Sequence, residues 1–275
     1  MKTKNFPACN YSLVICLIAV LLISCKQKKT FKRETSVVEI GAERLQTYTG
    51  GEGENTIVFE SGLGDDATAW LESGIFDSIG QHNQVIAYDR AGAGKSTLAT
   101  GTRGIQAIAD DLQEVIQKKS LNNKVILVSH SLGGAIARAY AIQHPDKIKA
   151  LLFIEPNNEN YAPYAIMSQG QEDTLVQAYK DANLAGAVME ATQLVENIGF
   201  LKQLPPLPDV PVIVITSTKT DGEMTPENVK SWSAAHKSLG KNITNFTQVT
   251  TNKSGHHVHR EEPDLVIENI RKLLK

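Results

Sequence analysis

Ser131 stands in the run Val125-Ile126-Leu127-Val128-Ser129-His130-Ser131-Leu132-Gly133-Gly134, where an apolar stretch leads straight into small residues. A hydroxyl becomes a useful nucleophile only when a neighbouring base takes its proton, and imidazole is the side chain best suited to that near neutral pH. Three histidines crowd the segment Ser254-Gly255-His256-His257-Val258-His259-Arg260, just ahead of Pro263. Two carboxylates follow apolar runs elsewhere: Glu155 comes directly after residues 150–154, and Asp221 lies in the loop after residues 212–215. Together these are the parts of nucleophilic acyl chemistry. A triple histidine also invites a metal reading. Adjacent side chains diverge, however, and no acidic or Cys partner lies at ligand spacing, so no metal is expected. Gly94-Lys95-Ser96 is the tail of a phosphate-binding loop, but the full pattern needs Gly at position 89 and Asp89 occupies it. Phosphate binding is therefore not expected, and no cofactor is implied.

Short β-branched runs alternate with longer amphipathic stretches, the pattern of an α/β sheet with crossover helices. Strands are predicted near residues 37–40, 45–48, 56–59, 85–88, 125–128, 150–154, 212–215 and 246–249. The first two join through Gly41-Ala42-Glu43 and predict an antiparallel start, whereas helical patterns separate the later ones and predict parallel pairing. Helices are predicted near 104–118, 131–144, 226–238 and 263–274. In the first, Ile105, Ile108, Leu112, Val115 and Ile116 recur at helical spacing. Between Ile154 and Val212 the rhythm breaks, and about 50 residues of helical character intervene; a long insert in a compact domain usually serves as a lid or binding element.

The Ser131 segment resembles the nucleophile elbow G-x-S-x-G of the α/β-hydrolase superfamily, with Ser129 in place of the first Gly. Glu60-Ser61-Gly62-Leu63-Gly64 resembles that family's oxyanion loop, with Trp70 at its downstream aromatic, and Asp89-Arg90-Ala91-Gly92-Ala93-Gly94-Lys95-Ser96 resembles its structural turn. The resemblance covers nearly the whole chain beyond its first segment. It implies an eight-stranded, mostly parallel sheet flanked by helices, with a helical lid at about 157–208. The family order of Ser, acid, His implies His256, which directly follows Gly255, as general base, and Asp221 as acid. Glu155 is the alternative acid and Glu223 a third option. The N–H groups of Leu63 and Leu132 are the implied oxyanion donors. His130 is read as a filler of the elbow, and His82, His144 and His236 as solvated or packed. The implied function is a serine hydrolase cleaving a carboxylic ester or related acyl bond of a small molecule. Family dehalogenases and epoxide hydrolases resemble it but carry a carboxylate where Ser131 stands. Acyl transfer, C–C bond hydrolysis and a ligand sensor that keeps the triad are the other readings.

The chain of 275 residues has a formal charge of −2 and 41% apolar residues, so it can build a large core and offers no basic stripe for nucleic acid. Lys2 and Lys4 precede an uncharged apolar run at 11–24 that ends in Leu22-Ile23-Ser24-Cys25. This has the layout of a secretory signal peptide, and its end resembles the lipobox of bacterial lipoproteins. Residues 1–24 are thus expected to be a leader, Cys25 the lipidated residue, 25–35 a tether and 36–275 the folded domain. That implies a membrane-anchored protein of the bacterial cell envelope. Cys9 and Cys16 would leave with the leader, so no disulfide within the mature chain is expected.

Overall fold

The computed structural model describes residues 31–220 and 224–275. The expected leader at 1–24, the expected lipidation site Cys25, the expected acid Asp221 and the third option Glu223 lie outside the described residues. The described residues form eight strands: β1 (Arg33–Ile40), β2 (Glu43–Gly50), β3 (Thr56–Glu60), β4 (Gln84–Tyr88), β5 (Val125–His130), β6 (Ile148–Ile154), β7 (Val212–Ser217) and β8 (Phe246–Thr251). They form one sheet in the order β1-β2-β4-β3-β5-β6-β7-β8. β1 pairs antiparallel with β2 and β2 with β4, and every later pairing is parallel, as the sequence predicts.

The central strands are buried on both faces, which is why they read as continuous apolar runs rather than alternating ones. Their side chains still alternate in direction. In β5, Val125 and Leu127 join one core while Ile126 and Val128 join the other. Helices α1 (Thr68–Leu71) and α2 (Ile75–Gly80) lie before β4, and α3 (Ile105–Lys119) and α4 (Leu132–Gln143) flank β5. The short α1 and α2 escape sequence periodicity because they complete barely one turn or two. Between β6 and β7 run α5 (Ala162–Ala165), α6 (Gln169–Asp181), α7 (Ala185–Ala191) and α8 (Leu194–Gln203). Last come α9 (Pro226–Ser238), α10 (Val258–Glu261) and α11 (Pro263–Leu273). The stripe read in α3 is buried throughout, in the same core as α4.

β1 begins at Arg33, inside the stretch assigned from sequence to a tether ending at 35. The cause is local: Arg33 Nε meets Asp77 Oδ1 at 2.6 Å and its Nη2 donates to the Leu71 carbonyl at 2.6 Å, so the strand is tied to α1 and α2 from its first residue. Among the described residues, no helix is long and apolar enough to cross a membrane.

Candidate active site

In an open parallel sheet, reactive groups gather beyond the carboxyl ends of the strands, where neighbouring connections leave in opposite directions. Here β3 lies between β4 and β5, and Glu60 is in register with Ser129. The loop after β3 and the turn after β5 therefore emerge side by side.

Ser131 joins β5 to α4 with φ 52° and ψ −120°. Such a backbone costs an L-residue about 1–3 kcal/mol and persists only when its surroundings fix it. Three hydrogen bonds do so: the Ser131 N–H donates to Ile154 O at 3.1 Å, and the Ser131 carbonyl accepts from Gly134 N–H at 2.9 Å and Asn157 N–H at 3.0 Å. The glycines after it are required by distance. A Cβ on Gly133 would lie 2.5 Å from Ser61 O and 2.6 Å from Glu60 O, and one on Gly134 would lie 2.5 Å from Pro156 Cβ.

His256 approaches from the loop between β8 and α10. Its Nε2 is 2.9 Å from Ser131 Oγ, so the hydroxyl can donate to the imidazole. On the ring's other side Nδ1 lies 3.4 Å from Glu155 Oε2. That is longer than an ordinary N–H···O bond, as catalytic contacts often are without substrate. The His256 side chain is 43% exposed whereas that of Glu155 is only 3% exposed, so the base faces outward over a buried carboxylate. Glu155 directly follows β6 with φ 50°. Its Oε1 accepts from Ser217 N–H at 2.6 Å and its Oε2 from Trp232 Nε1–H at 3.0 Å, which fixes the carboxylate with one lobe toward the imidazole. The structure thus brings Ser131, His256 and the alternative acid Glu155 into one line. Beside them a cavity of about 340 Å³ is lined by Tyr161, Met224, Trp232 and Lys219, with Glu155 and His256 on its wall.

The oxyanion loop lies against the elbow. A Cβ on Gly62 would come within 3.3 Å of Ser131 Cβ, so Leu63 leaves the loop beside the nucleophile. Leu132 is the first residue of α4, and its N–H has no acceptor within the helix. Arg90 holds this loop, a role that sequence reasoning missed. From full burial its Nη1 donates to Ser61 O at 2.6 Å and its Nη2 to Gly62 O at 2.7 Å. The same guanidinium bonds Glu60 Oε1 at 2.8 Å and both carboxylate oxygens of Glu190, at 2.6 and 2.8 Å. Burial alone would discharge it, but the carboxylates of Glu190 and Glu60 outweigh that and push its pKa up. Trp70 Nε1 donates to Ser61 Oγ at 3.0 Å, which gives the downstream aromatic a positioning contact.

The structural turn behaves as read. Lys95 N–H donates to Asp89 Oδ2 at 2.9 Å and Ser96 Oγ to Asp89 O at 2.7 Å, so both are engaged within the turn itself. His236 is buried, with Nε2 on Pro156 O at 2.9 Å and Nδ1 on Thr216 Oγ1 at 2.8 Å. His144 packs on the Tyr140 ring, and His82 is exposed. The histidine cluster departs from its sequence expectation. Along the chain it has no partner at ligand spacing, yet the fold brings Asp65 from the β3 loop and His130 from β5 onto His257 and His259. Residues far apart in the chain meet there, so spacing along the sequence carries no sign of it.

Comparison with known proteins agrees with this architecture. The Bacillus subtilis protein YbdG is 26% identical over 198 residues, which span 72% of this chain but only 57% of YbdG's length. Among solved structures, an esterase from Thermogutta terrifontis superposes with a TM-score of 0.63 at 19% identity, covering 88% of this chain and 98% of the other. A laboratory-evolved variant of the potato epoxide hydrolase StEH1 gives 0.69 at 18% identity, covering 88% and 99%. These likenesses support the fold, and residues 55–203, more than half of the chain, match the family described as alpha/beta hydrolase fold. With its sheet order and the Ser131 elbow in the expected places, the chain belongs to the alpha/beta hydrolase family of enzymes.

Proposed function

We propose that this enzyme is a serine hydrolase that cleaves a carboxylic ester or related acyl bond through an acyl-enzyme on Ser131. His256 takes the serine proton as Oγ attacks the carbonyl and returns it to the leaving group, after which water clears the acyl-enzyme by the same route. Glu155 holds the imidazole in the tautomer with the proton on Nδ1 and stabilises the imidazolium as it forms. The N–H groups of Leu63 and Leu132 receive the oxyanion, each such donor being worth about 3–4 kcal/mol of barrier.

The observation that carries this reading is the 2.9 Å contact of Ser131 Oγ with His256 Nε2 on a strained elbow, with a buried carboxylate behind the ring. The relatives that act on epoxides share the fold, but a serine stands at the reacting position here, which favours acyl chemistry over epoxide opening. Assay of a short-chain activated ester tests it. Ser131→Ala should lower kcat by about 10⁶-fold and abolish labelling by a fluorophosphonate. Turnover kept by the variant would remove Ser131 from the mechanism. A screen over acyl chain lengths then defines the substrate.

The anchoring reading from sequence belongs to this proposal as well: Cys25 carries the lipid that holds the enzyme on a membrane of the cell envelope. Cys25→Ala should lose incorporation of a labelled fatty acid and move to the soluble fraction, whereas labelling that persists would refute it.

A further inference from the structure

We infer that Asp65, His130, His257 and His259 form a binding site for a single first-row transition-metal dication of the zinc type. One ligand atom from each lies within 4.8 Å of every other. Three imidazoles and a carboxylate make a donor set that zinc accepts, at about 2.0–2.2 Å from each ligand atom. Tetrahedral ligands at that radius stand about 3.4 Å apart, so the widest pair must close by about 1.4 Å. His257 is exposed and Asp65 only partly buried, so these two side chains rather than the buried pair must close that gap, Asp65 with Arg260 still on its other oxygen.

The two inner histidines point to a cation independently of that spacing. His130 is 2% exposed and its Nε2 lies 2.9 Å from the carbonyl oxygen of His256. A carbonyl can only accept, so Nε2 carries the hydrogen and Nδ1 of the neutral ring presents a bare lone pair. Among the described residues that lone pair has no hydrogen-bond partner, and it stands 4.0 Å from Asp65 Oδ2. Two electron-rich atoms facing each other across a buried gap repel unless a positive charge lies between them. His259 is fully buried, packs on the His130 ring at 4.3 Å between centroids, and has no hydrogen-bond partner for either ring nitrogen among the described residues. Buried imidazoles are rarely left so poorly satisfied.

The surroundings have the form of a metal site's outer layer. A ligating histidine commonly donates its other N–H to a backbone carbonyl, which fixes tautomer and ring orientation, and His130 does this to His256. Asp65 has Oδ1 occupied by Arg260 Nη2 at 2.5 Å, which leaves Oδ2 turned to the histidines. Gly62 keeps the approach to His130 clear, since a Cβ there would sit 2.7 Å from Nδ1. Against the site stands the charge of Arg260, which the Asp65 carboxylate offsets. Such an ion would clip together the loop after β3, the elbow and the segment that carries His256.

The test reads metal rather than turnover, so it stands apart from the acyl-hydrolase reading. Full-length protein stripped with a chelator is dialysed against Zn²⁺ at micromolar concentration and its metal counted, and titrated in parallel with Co²⁺ while visible d–d absorption is followed. One ion per chain, a Co²⁺ spectrum of low coordination number and a higher melting temperature with Zn²⁺ are expected. His257→Ala and Asp65→Asn alter residues at the rim rather than in the core, and each should weaken binding by at least about tenfold. Failure of the unaltered protein to bind a stoichiometric ion overturns the inference. So does affinity unchanged in either variant, which would place any bound metal elsewhere.

Discussion

Replacing Glu155 by Gln keeps the side chain's shape and removes its charge, and the surrounding hydrogen bonds dictate the consequence. The carboxylate accepts on both lobes: Oε1 from Ser217 N–H, and Oε2 from both Trp232 Nε1–H and His256 Nδ1–H. An amide can accept on one lobe only. If its oxygen serves Ser217, its NH₂ faces the indole N–H and the imidazole, and the ring must turn its Nδ1 lone pair toward it. The hydrogen then moves to Nε2, the atom 2.9 Å from Ser131 Oγ, and the base can no longer accept the serine proton. If the amide flips, its NH₂ opposes Ser217 N–H and folding bears the cost instead. The same tautomer error in a serine protease triad lowers kcat by about 10⁴. With the looser 3.4 Å contact here, a loss of about 10³–10⁴ is expected, or about 4–5.5 kcal/mol of barrier at about 1.36 kcal/mol per tenfold. KM for a short-chain ester should stay within a few-fold, because the Glu155 side chain is only 3% exposed and the amide keeps the shape of the cavity wall. Asp221→Asn, assayed beside it, should change kcat by less than tenfold. Thermal unfolding of both variants separates misfolding from lost chemistry. If Glu155→Gln retains kcat within tenfold while Asp221→Asn loses a thousandfold, the acid is Asp221 and the tautomer mechanism is wrong.

Arg90→Met should destabilise the fold by about 3–5 kcal/mol, because Glu60 and Glu190 stay buried without their shared partner; a fall in denaturation midpoint worth under about 1 kcal/mol would refute the network's importance. Acid should act through His236, whose pKa burial lowers from 6.5 to about 3. The unfolded chain then binds a proton that the folded one does not, so His236 costs nothing above about pH 7. Below about pH 6 it removes stability at up to about 1.4 kcal/mol per unit, down to about pH 3. Urea titrations of His236→Gln should show an acid limb shallower by one proton, and an unchanged slope would contradict this. Gly133→Ala forces a methyl to 2.5 Å from Ser61 O and should cost both stability and kcat, whereas Gly199→Ala, with open space around it in α8, should stabilise by about 0.5–1 kcal/mol. Equal thermal shifts for these two would show that the elbow is not tightly packed.

The central strands β3 to β7 were legible because strands buried on both faces leave contiguous apolar runs, whereas the partly exposed β1, β2 and β8 were legible from their β-branched and aromatic residues. Ser131 and His256 were legible because the elbow and the Gly-His pair are local patterns. The carboxylate that faces the His256 ring was not, for a local reason. Glu155 and Asp221 each follow a strand, β6 and β7, and those strands are neighbours in the sheet. A chain can send a carboxylate to the same imidazole from either, and the carboxylate of Glu155 is fixed there by the hydrogen bonds of Ser217 and Trp232. Trp232 lies in a helix whose pattern marks it merely as a buried aromatic, so nothing in the sequence announced its indole N–H as a donor. Asp65 and His130 escaped for the complementary reason, since their approach to His257 and His259 depends on β3 and β5 being adjacent while the histidines come in from the far edge.

Arg90 shows how this fold turns a structural turn into a positioning device. The guanidinium reaches the two carbonyls before Leu63 and, on its other side, Glu190 in α7, a hundred residues on. Around it the backbones of Gly92 and Gly186 touch, with Gly186 N–H donating to Gly92 O at 3.2 Å and room for no Cβ at either residue. α7 is therefore clamped to the same residues that fix the oxyanion loop, and this part of the insert cannot move without dragging an Arg held on five acceptor atoms. Any opening that admits substrate must come from segments outside the clamp. Tyr161 and Met224, which touch each other over the cavity beside His256, are outside it. Substrate selection is then expected to respond to changes at those two side chains, while changes at α7 are expected to act on the proposed oxyanion donors and to appear in kcat.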